Sequence, residues 1–540
     1  MSNEAESSQQ TALRATAEGG VRGLVTRGMQ QYLGIPYAAP PVGELRWRPP
    51  APAPVRDAPL DAVEFGPVCA QDTTGLPGFG HYSTTEDCLY LNVSTPLDCE
   101  PGDELPVMVW IPGGGFLVGG SNGYDPSALV RDGNVVFVSI NYRLNVFGFF
   151  SHPAINAEGH ASGNYGIMDQ QAALRWVRAN IGNFGGDPGN VTIFGESAGG
   201  ISVLVNLASP ASAGLFHKAI LHSCSAAGLV ALPTLASCES VGKALAAEAG
   251  CDHQTGENLR ALTTRQIMDA DGMATAPLCA SRFQVGLMTD GEIISGPMGD
   301  LFTTGRFHRV PIVNGTNRDE FTWFLAMLEL ATKQVVTNDT YPDVFRDLFS
   351  LFAKHPLIGA EIPPSALPEI LARYPVSDFS SPSSAAAAVL GDCGLISAGG
   401  RLTTRLLQRH APVVYAYEWN VPDSPVAWPA ASFPYGSGHT QELQYLFPRF
   451  AGGCGTPSEL NAEQADLARQ MVAYWTTFAH SGTPNDPSKD TPIWAPYKPE
   501  TDNVMELRAD GGPHMADGFG QWHHSDFWDR FYPAAARLTS

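Results

Sequence analysis

The stretch FGESAGG, residues 194–200, follows the β-branched run VTI and precedes the apolar run ISVLVNLA. A serine therefore stands between two glycines where the pattern changes from strand to helix. Such a turn can hold a serine hydroxyl as an exposed nucleophile. It can equally be a flexible turn with a chance serine, because the motif is short and the chain contains 56 glycines. The choice depends on the rest of the catalytic machinery.

Short apolar runs alternate with helical patterns on both sides of this turn. LPVMVWI (105–111) and VVFVSINYR (135–143) are apolar on both faces, as expected of strands that are buried on both sides. GIMDQQAALRWVRANIGNFGG (166–186) has helical periodicity and ends on glycines. VTIFG predicts a strand, SAGGISVLVNLAS a helix and KAILHS another strand. This alternation predicts an α/β protein with a largely parallel sheet covered by helices.

The chain is predicted to consist of a short tail and one large domain. Residues 1–20 are polar and are interpreted as a disordered tail, whereas residues 21–540 are assigned to a single domain. Between about 323 and 401 the pattern becomes helix-rich and irregular, with clusters of Pro and Ser. We interpret that region as a cap-like insertion over the sheet.

The net charge of the chain bears on which classes of binding partner are expected. The formal net charge is −22, from 54 acidic and 32 basic residues, which argues against nucleic acid or an anionic membrane surface as the main partner. The acidity could steer a cationic substrate, but a solubilising surface is the more ordinary explanation. No apolar run has the length of a membrane span, and the N-terminus lacks the apolar core of a secretory signal. A soluble, cytoplasmic protein is therefore expected.

The cysteines complicate that expectation. There are nine of them, and the odd number leaves at least one free or paired between chains. Cys69 and Cys88 bracket a loop rich in Gly and Thr, and Cys238 and Cys251 bracket a helix-like segment. Either pair could form a disulfide, which would favour an oxidising compartment. The sequence leaves both possibilities open.

A nucleophilic serine also needs backbone donors for the oxyanion that forms during the reaction. The run VWIPGGGFLVGG places three glycines, residues 113–115, directly after a predicted strand. Backbone N–H groups there can approach a substrate oxygen closely, because no Cβ intervenes. A plain glycine-rich turn would not explain why the loop both follows a buried strand and precedes the serine.

The acid and the base are expected after the serine, since this kind of triad runs in the order serine, acid, histidine. VPIVNGTNRDEF supplies a strand at 310–313 and then Asp319 and Glu320, and the pattern alone could favour either carboxylate. FPYGSGHTQELQYLF supplies His439, which has a glycine-rich approach and a helical run after it. These residues complete a candidate triad.

No metal or cofactor is expected. His523 and His524 near the C-terminus raise the question of a metal, but no cysteine or second spaced histidine supports a site. We interpret these two histidines as structural. A triad hydrolase needs neither a metal nor a cofactor.

Taken in order, EDCLYLNV (86–93), GGGF, FGESAGG, NRDE and GSGH resemble the type-B carboxylesterase/lipase family, which includes cholinesterases and bacterial p-nitrobenzyl esterases. YLGIPYAAPPVGELRWRPP near the start also matches, so the resemblance extends from about residue 20 to the C-terminus. It implies an α/β-hydrolase fold with a deep active-site gorge that takes a small-molecule ester substrate.

The resemblance assigns two sets of site residues. The triad it implies is Ser197, Glu320 and His439. The implied backbone donors of the oxyanion hole are Gly114, Gly115 and Ala198. The resemblance also implies structural pairs, namely a disulfide between Cys69 and Cys88 and ion pairs of Arg46 with Glu86 and Arg143 with Asp169.

Three positions depart from the family pattern. Pro112 stands where Tyr or His is usual, and Phe321 and Thr440 stand where Gly is usual. None of them removes a catalytic group, but each could reshape the pocket wall. The loop between Cys69 and Cys88 contains no Trp, whereas cholinesterases place one there as a cation–π platform for choline, so choline esters are disfavoured.

The sequence therefore predicts a serine hydrolase that forms an acyl-enzyme with a small or medium neutral ester. The same triad could cleave an amide, carbamate or lactone, or transfer the acyl group to an alcohol, because pocket shape decides among these. A non-catalytic adhesion or scaffolding protein is disfavoured, since such members typically lack a triad residue. Glu196 either favours the protonated form of His439 or only holds the serine turn through hydrogen bonds.

Overall fold

The computed structural model describes residues 9–74, 82–161, 163–226, 232–272, 282–283, 285–345, 360–450, 459–532 and 535. The strands are, in chain order, β1 Gln9–Gln10, β2 Arg14–Thr16, β3 Gly19–Arg22, β4 Leu24–Thr26, β5 Met29–Pro36, β6 Leu60–Asp61, β7 Tyr90–Pro96, β8 Leu105–Ile111, β9 Val136–Ile140, β10 Gly186–Glu196, β11 Lys218–His222, β12 Ile312–Asn317, β13 Val414–Trp419, β14 Val504–Leu507 and β15 His514–Ala516.

Within the described residues, twelve strands form one sheet in the order β1-β4-β5-β7-β9-β8-β10-β11-β12-β13-β14-β15, and β2, β3 and β6 form a second. Neighbours from β9 to β14 run parallel, whereas the strands at both edges pair antiparallel. The predicted parallel sheet is therefore confirmed. Its central strands are buried on both faces, which explains why they are apolar without alternation.

Helices cover the sheet. Those of eight residues or more are Tyr165–Asn180, Ala198–Ala208, Leu235–Glu248, Thr264–Asp271, Glu320–Thr332, Pro382–Gly391 and Ala462–Ser481, with a π-helix at Asp392–Thr403. The shorter α-helices are Ser127–Gly133, Asn145–Gly148, Pro153–Asn156, Gly256–Ala261, Met298–Thr303, Leu367–Arg373, Thr404–Gln408, Leu443–Leu446, Phe519–Trp522 and Ser525–Trp528. None of the helices in the described part of the chain is long and apolar enough to cross a membrane.

Two predictions about the ends of segments need correction. Residues 9–20 were expected to be disordered, yet β1 and β2 lie there and the side chain of Arg14 is buried against Tyr32 and Glu100. The strand expected at 310–313 is Ile312–Asn317 instead. It begins after Pro311, which has no N–H to donate to a sheet, and it runs four residues further toward the candidate acid.

The region predicted as a cap is helical where it is described. Helices Glu320–Thr332, Leu367–Arg373 and Pro382–Gly391 lie in or beside it, whereas residues 346–359 fall outside the described residues. Its role as a cap stays a prediction.

The cysteine question has a clear outcome. Cys69 and Cys88 form a disulfide, with their Cα atoms 4.9 Å apart. Cys238 and Cys251 are both free. Cys238 lies in the first turn of helix Leu235–Glu248, whereas the N–H of Cys251 donates to the carbonyl of Ala246 near the other end. Residues 238 and 246 are about 12 Å apart along the helix axis, which is too far for a disulfide between these two regions.

The two ion pairs implied by the resemblance are present. Arg46 binds Glu86 through two nitrogens at 2.5 and 2.7 Å, and the guanidinium of Arg143 binds Asp169 at 2.7 and 2.8 Å. All four side chains are largely buried. Because a buried charge is costly without a partner, these bidentate contacts stabilise the segments beside the glycine loop and the disulfide.

Candidate active site

The candidate nucleophile lies on a sharp turn between a strand and a helix. β10 ends at Glu196, the helix begins at Ala198, and Ser197 between them has a φ of 57° and a ψ of −121°. This strained backbone is rare for a residue with a side chain. A Cβ on Gly199 would lie 2.0 Å from the carbonyl oxygen of Ile111, so only glycine allows the helix to approach the neighbouring strand.

The glycine loop packs directly against this turn. A Cβ on Gly113 would lie 3.4 Å from Cβ of Ser197 and 2.6 Å from the carbonyl oxygen of Glu196. Gly114 and Gly115 have φ values of 112° and 66°, in the region that favours glycine. Their backbone is therefore free to turn its N–H groups toward a substrate oxygen, and Ala198 opens the helix on the other side. The oxyanion role of these groups stays a prediction.

The candidate acid and the candidate base meet in the buried interior. Oε2 of Glu320 lies 2.6 Å from Nδ1 of His439, and Oε1 of Glu320 accepts a hydrogen bond from the backbone N–H of Asn317 at 2.8 Å. Glu320 is fully buried and His439 is 2% exposed. This geometry fixes the ring of His439 so that Nε2 is the nitrogen left for chemistry.

The neighbouring carboxylate, Asp319, contacts the backbone of the loop that carries His439. Oδ2 of Asp319 accepts a hydrogen bond from the backbone N–H of Ser437 at 2.8 Å, and the N–H of Asp319 donates to the carbonyl of Ser437 at 3.0 Å. Asp319 thus ties the loop that carries His439 to the end of β12. Of the two carboxylates that the sequence left open, the structure brings Glu320 to the base.

Glu196 contacts the other nitrogen of the base. Its Oε1 lies 3.0 Å from Nε2 of His439. Burial raises the pKa of Glu196 to about 7, against the opposing effect of His439. Burial alone would lower the pKa of His439, but Glu196 and Glu320 outweigh it and raise that pKa well above the ordinary value. The electrostatic interpretation of Glu196 is therefore favoured.

The hydroxyl of Ser197 is partly exposed and has no hydrogen-bond partner within the described ranges. Hydrogen bonds between nucleophile and base are often long or absent without substrate. The nucleophile and the base still converge, since His439 contacts the residue that directly precedes Ser197.

Aromatic rings shield the base. The ring centroid of Phe324 lies 4.8 Å from that of His439, and the centroid of Trp323 lies 6.2 Å away. Phe321, one of the departures from the family pattern, packs on Phe324 with centroids 4.9 Å apart. Excluding water in this way strengthens the electrostatic contacts of the base. This cluster could not be predicted from the sequence, because one helical turn of aromatic residues has the same pattern as an ordinary core segment.

The other two departures lie next to catalytic groups. The carbonyl of Pro112, before the glycine loop, accepts a hydrogen bond from the hydroxyl of Tyr142 at 2.9 Å. Thr440, after the base, has a φ of 70° and is 5% exposed. A β-branched residue rarely adopts that conformation, so Thr440 is held there by its surroundings.

The paired histidines both have contacts within the protein. Nδ1 of His523 lies 2.6 Å from Asp392 and its Nε2 lies 2.5 Å from Glu418, so both ring nitrogens already have partners. His524 packs edge-on against Tyr374, with ring centroids 5.1 Å apart. Both histidines are structural in this arrangement.

The chain matches known proteins over nearly all of its length. A model of the carboxylesterase family matches residues 10–528. Acylcarnitine hydrolase of Mus musculus is 34% identical, covering 93% of this chain and 88% of the relative. Cocaine esterase of Homo sapiens is 32% identical, with 96% of this chain and 91% of the relative covered.

Solved structures agree with this match. The carboxylesterase of Geobacillus stearothermophilus superimposes with a TM-score of 0.76 at 28% identity, and a thermophilic PNB esterase with a TM-score of 0.74 at 28% identity. Each comparison covers 95% of this chain and 99% of the other. The predicted α/β-hydrolase fold is confirmed by these neighbours.

Proposed function

This chain belongs to the carboxylesterase family and hydrolyses carboxylic esters, and we propose that it cleaves small to medium neutral esters through an acyl-enzyme on Ser197. The single observation that carries the proposal is the 2.6 Å contact between Glu320 and His439, both buried beside the serine turn. A nucleophile, an acid and a base that follow one another along the chain as Ser197, Glu320 and His439 are the parts that acyl transfer needs.

In the proposed first step, Nε2 of His439 accepts the proton of the Ser197 hydroxyl as its oxygen attacks the ester carbonyl. Glu320 stabilises the imidazolium, and the N–H groups of Gly114, Gly115 and Ala198 stabilise the oxyanion. The imidazolium then gives its proton to the departing alcohol. Water then attacks the acyl-enzyme, with His439 again accepting and returning the proton, and the carboxylic acid is released.

The charge of the site supports a neutral substrate. The carboxylates of Glu196 and Glu320 flank the base, and Glu442 lies 3.6 Å from the buried ring of His222 behind it. Anionic groups would be repelled by these carboxylates in a site of low dielectric. The proposal therefore excludes substrates with a free carboxylate near the scissile bond.

The proposal is tested by trapping the intermediate. Wild type quenched in acid after mixing with p-nitrophenyl butyrate should gain one butyryl group, located at Ser197 by mass spectrometry. Ser197→Ala should gain none and should keep less than about a thousandth of the wild-type kcat. Ser240→Ala, on an exposed helix face, is the control and should behave like wild type. Substantial activity in Ser197→Ala would refute the proposal.

The cleaved bond is open to a direct comparison, because the same triad can attack amides, carbamates and lactones. Aryl esters of increasing acyl length should be hydrolysed well, whereas the matching anilides should react far more slowly. If the anilides were hydrolysed with a kcat/KM comparable to that of the matching aryl esters, the proposed substrate would have to be an amide instead of an ester.

A further inference from the structure

Several buried side chains near the base carry hydrogen-bonding atoms that have no partner among the described residues. Three of these side chains are Gln441, with both of its amide atoms, Thr440, with Oγ1, and Trp428, with Nε1. The three residues are 2%, 5% and 8% exposed, respectively. Buried polar groups in native proteins are nearly always hydrogen-bonded to protein, water or a ligand. Their concentration at one place therefore points to a binding site.

These side chains lie close to His439 in the sequence or in space. Thr440 and Gln441 follow the base directly in sequence, and Nε2 of Gln441 lies 3.2 Å from where a Cβ on Gly438 would be. The amide thus lies beside the residue that precedes the base. Trp428 packs on Trp323 with ring centroids 5.9 Å apart, and Trp323 in turn packs on His439.

The next glutamine in the sequence, Gln444 in helix Leu443–Leu446, shows that the region can satisfy an amide when no ligand is needed. Nε2 of Gln444 donates to the hydroxyl of Ser424 and to the carbonyls of Pro425 and Gln441, each at 3.1 Å. The unpartnered amide of Gln441 is therefore specific to its position, three residues closer to the base.

The chemistry of the proposed function identifies the part of the substrate that faces these side chains. The base returns a proton to the oxygen of the departing alcohol, so the alcohol portion must lie against the loop of His439. In this reaction the carbonyl oxygen would lie toward the glycine loop, which packs against Ser197. The alcohol portion would then lie toward the loop that carries Thr440 and Gln441.

We infer that Gln441, assisted by Thr440 and Trp428, binds an uncharged hydrogen-bonding group, such as a hydroxyl, on the alcohol portion of the ester. This inference rests on the proposed function and narrows its substrate class to esters of diols and other polyhydroxy alcohols. An amide offers both a donor and an acceptor, which matches a hydroxyl. An ammonium group is disfavoured, because it has no acceptor for the N–H groups of Trp428 and Gln441.

The inference is tested with two esters of the same shape, 2-hydroxyethyl butyrate and propyl butyrate, whose hydrolysis is followed by acid release. Each kcat/KM is divided by the rate of hydroxide hydrolysis of the same ester, which removes the intrinsic difference in reactivity. Wild type should prefer the hydroxyl ester by at least about tenfold, since a site built to bind a hydroxyl rejects the analogue that lacks it. Gln441→Leu should lower that ratio by at least about fivefold.

Two further variants keep the test decisive. Gln441→Met preserves the length of the side chain and should lower the ratio in the same way if Gln441→Leu folds poorly. Gln470→Leu, at a half-buried helix position where the amide donates to Asp466, is the control and should keep the wild-type ratio.

A wild-type ratio near one, or a ratio that neither Gln441 variant lowers, would overturn the inference and show that these atoms bind only water. That result would leave the proposed function intact, provided that p-nitrophenyl butyrate hydrolysis still requires Ser197. Loss of the Ser197 requirement would overturn the proposed function itself.

Discussion

Nε2 of His439 lies 3.0 Å from Oε1 of Glu196, the residue that directly precedes the nucleophile. Together with Glu320 at Nδ1, this places the base between two buried carboxylates. Both carboxylates favour the protonated imidazole, and burial opposes it. For His439 to accept the proton of Ser197, Nε2 must exchange its contact with Glu196 for one with the hydroxyl. We therefore expect the charge of Glu196 to affect how readily His439 becomes available as a base.

The first prediction concerns the pH dependence of kcat/KM. Only neutral His439 can act as the base, and its pKa is raised by the two carboxylates against the effect of burial. The rate should therefore rise with pH along one limb whose midpoint lies above about 6.5, the ordinary histidine value, and then level off. Glu196→Gln removes one of the carboxylates and should move the limb toward lower pH. The profile is measured with a neutral aryl ester.

Two outcomes of that experiment would count against parts of this account. A profile that falls as pH rises through the histidine range would remove His439 as the base. A limb that stays in place in Glu196→Gln would leave the triad intact and would remove only the electrostatic role of Glu196.

The second prediction separates the two carboxylates at the end of β12. Glu320 contacts His439, whereas Asp319 binds the backbone of Ser437. Glu320→Gln should lower kcat by about 10³-fold or more, because the imidazolium loses its partner and the ring its fixed tautomer. Asp319→Asn should lower kcat much less and should mainly lower the melting temperature. Steady-state kinetics and thermal unfolding of both variants test this, and the reverse ranking of kcat would identify Asp319 as the acid.

The main elements of the fold were predictable because they are long and buried on both faces. β8 was predicted with its observed bounds, and helix Tyr165–Asn180 was predicted to within a few residues at its start. The structure at the start of the chain was not predictable, because β1 and β2 are short and polar and are held in place by residues that are distant in sequence. Arg14 is held there by Glu100 and Tyr32, which no local pattern reveals.

The candidate site divides in the same way. Ser197, Glu320 and His439 could be selected because each stands in a motif with a fixed place in the chain order. Glu196 could be named from the sequence, but its contact with His439 depends on how the end of β10 meets the distant loop that carries His439. The unpartnered amide of Gln441 could not be predicted at all, since whether a buried polar group is satisfied depends on every neighbour in space.

The third prediction concerns the disulfide. Cys69 and Cys88 are separated by 19 residues, and closing a loop of that size stabilises a protein by about 3 kcal/mol. Cys69→Ala combined with Cys88→Ala should lower the free energy of unfolding by that order in urea titrations. Cys238→Ala, which removes a free cysteine, is the control and should change stability much less. An unchanged unfolding midpoint in the double variant would show that the bond does not stabilise the domain.

The last prediction concerns stability at alkaline pH. His523 is buried between Asp392 and Glu418, and these carboxylates outweigh the effect of burial and raise its pKa to about 10. A raised histidine pKa stabilises the fold fully below about 6.5, and this contribution is lost as pH rises through the folded value of about 10.

In urea titrations, wild type should therefore lose stability progressively between about pH 6.5 and pH 10. His523→Gln should be less stable by about 3 kcal/mol at pH 7, because two buried carboxylates lose the cation between them, and this difference should shrink steadily as pH rises from 7 to 10. His253→Gln, at an exposed position, is the control and should follow wild type. A difference between wild type and His523→Gln that stays constant from pH 7 to pH 10.5 would mean that His523 stabilises the fold through packing rather than charge.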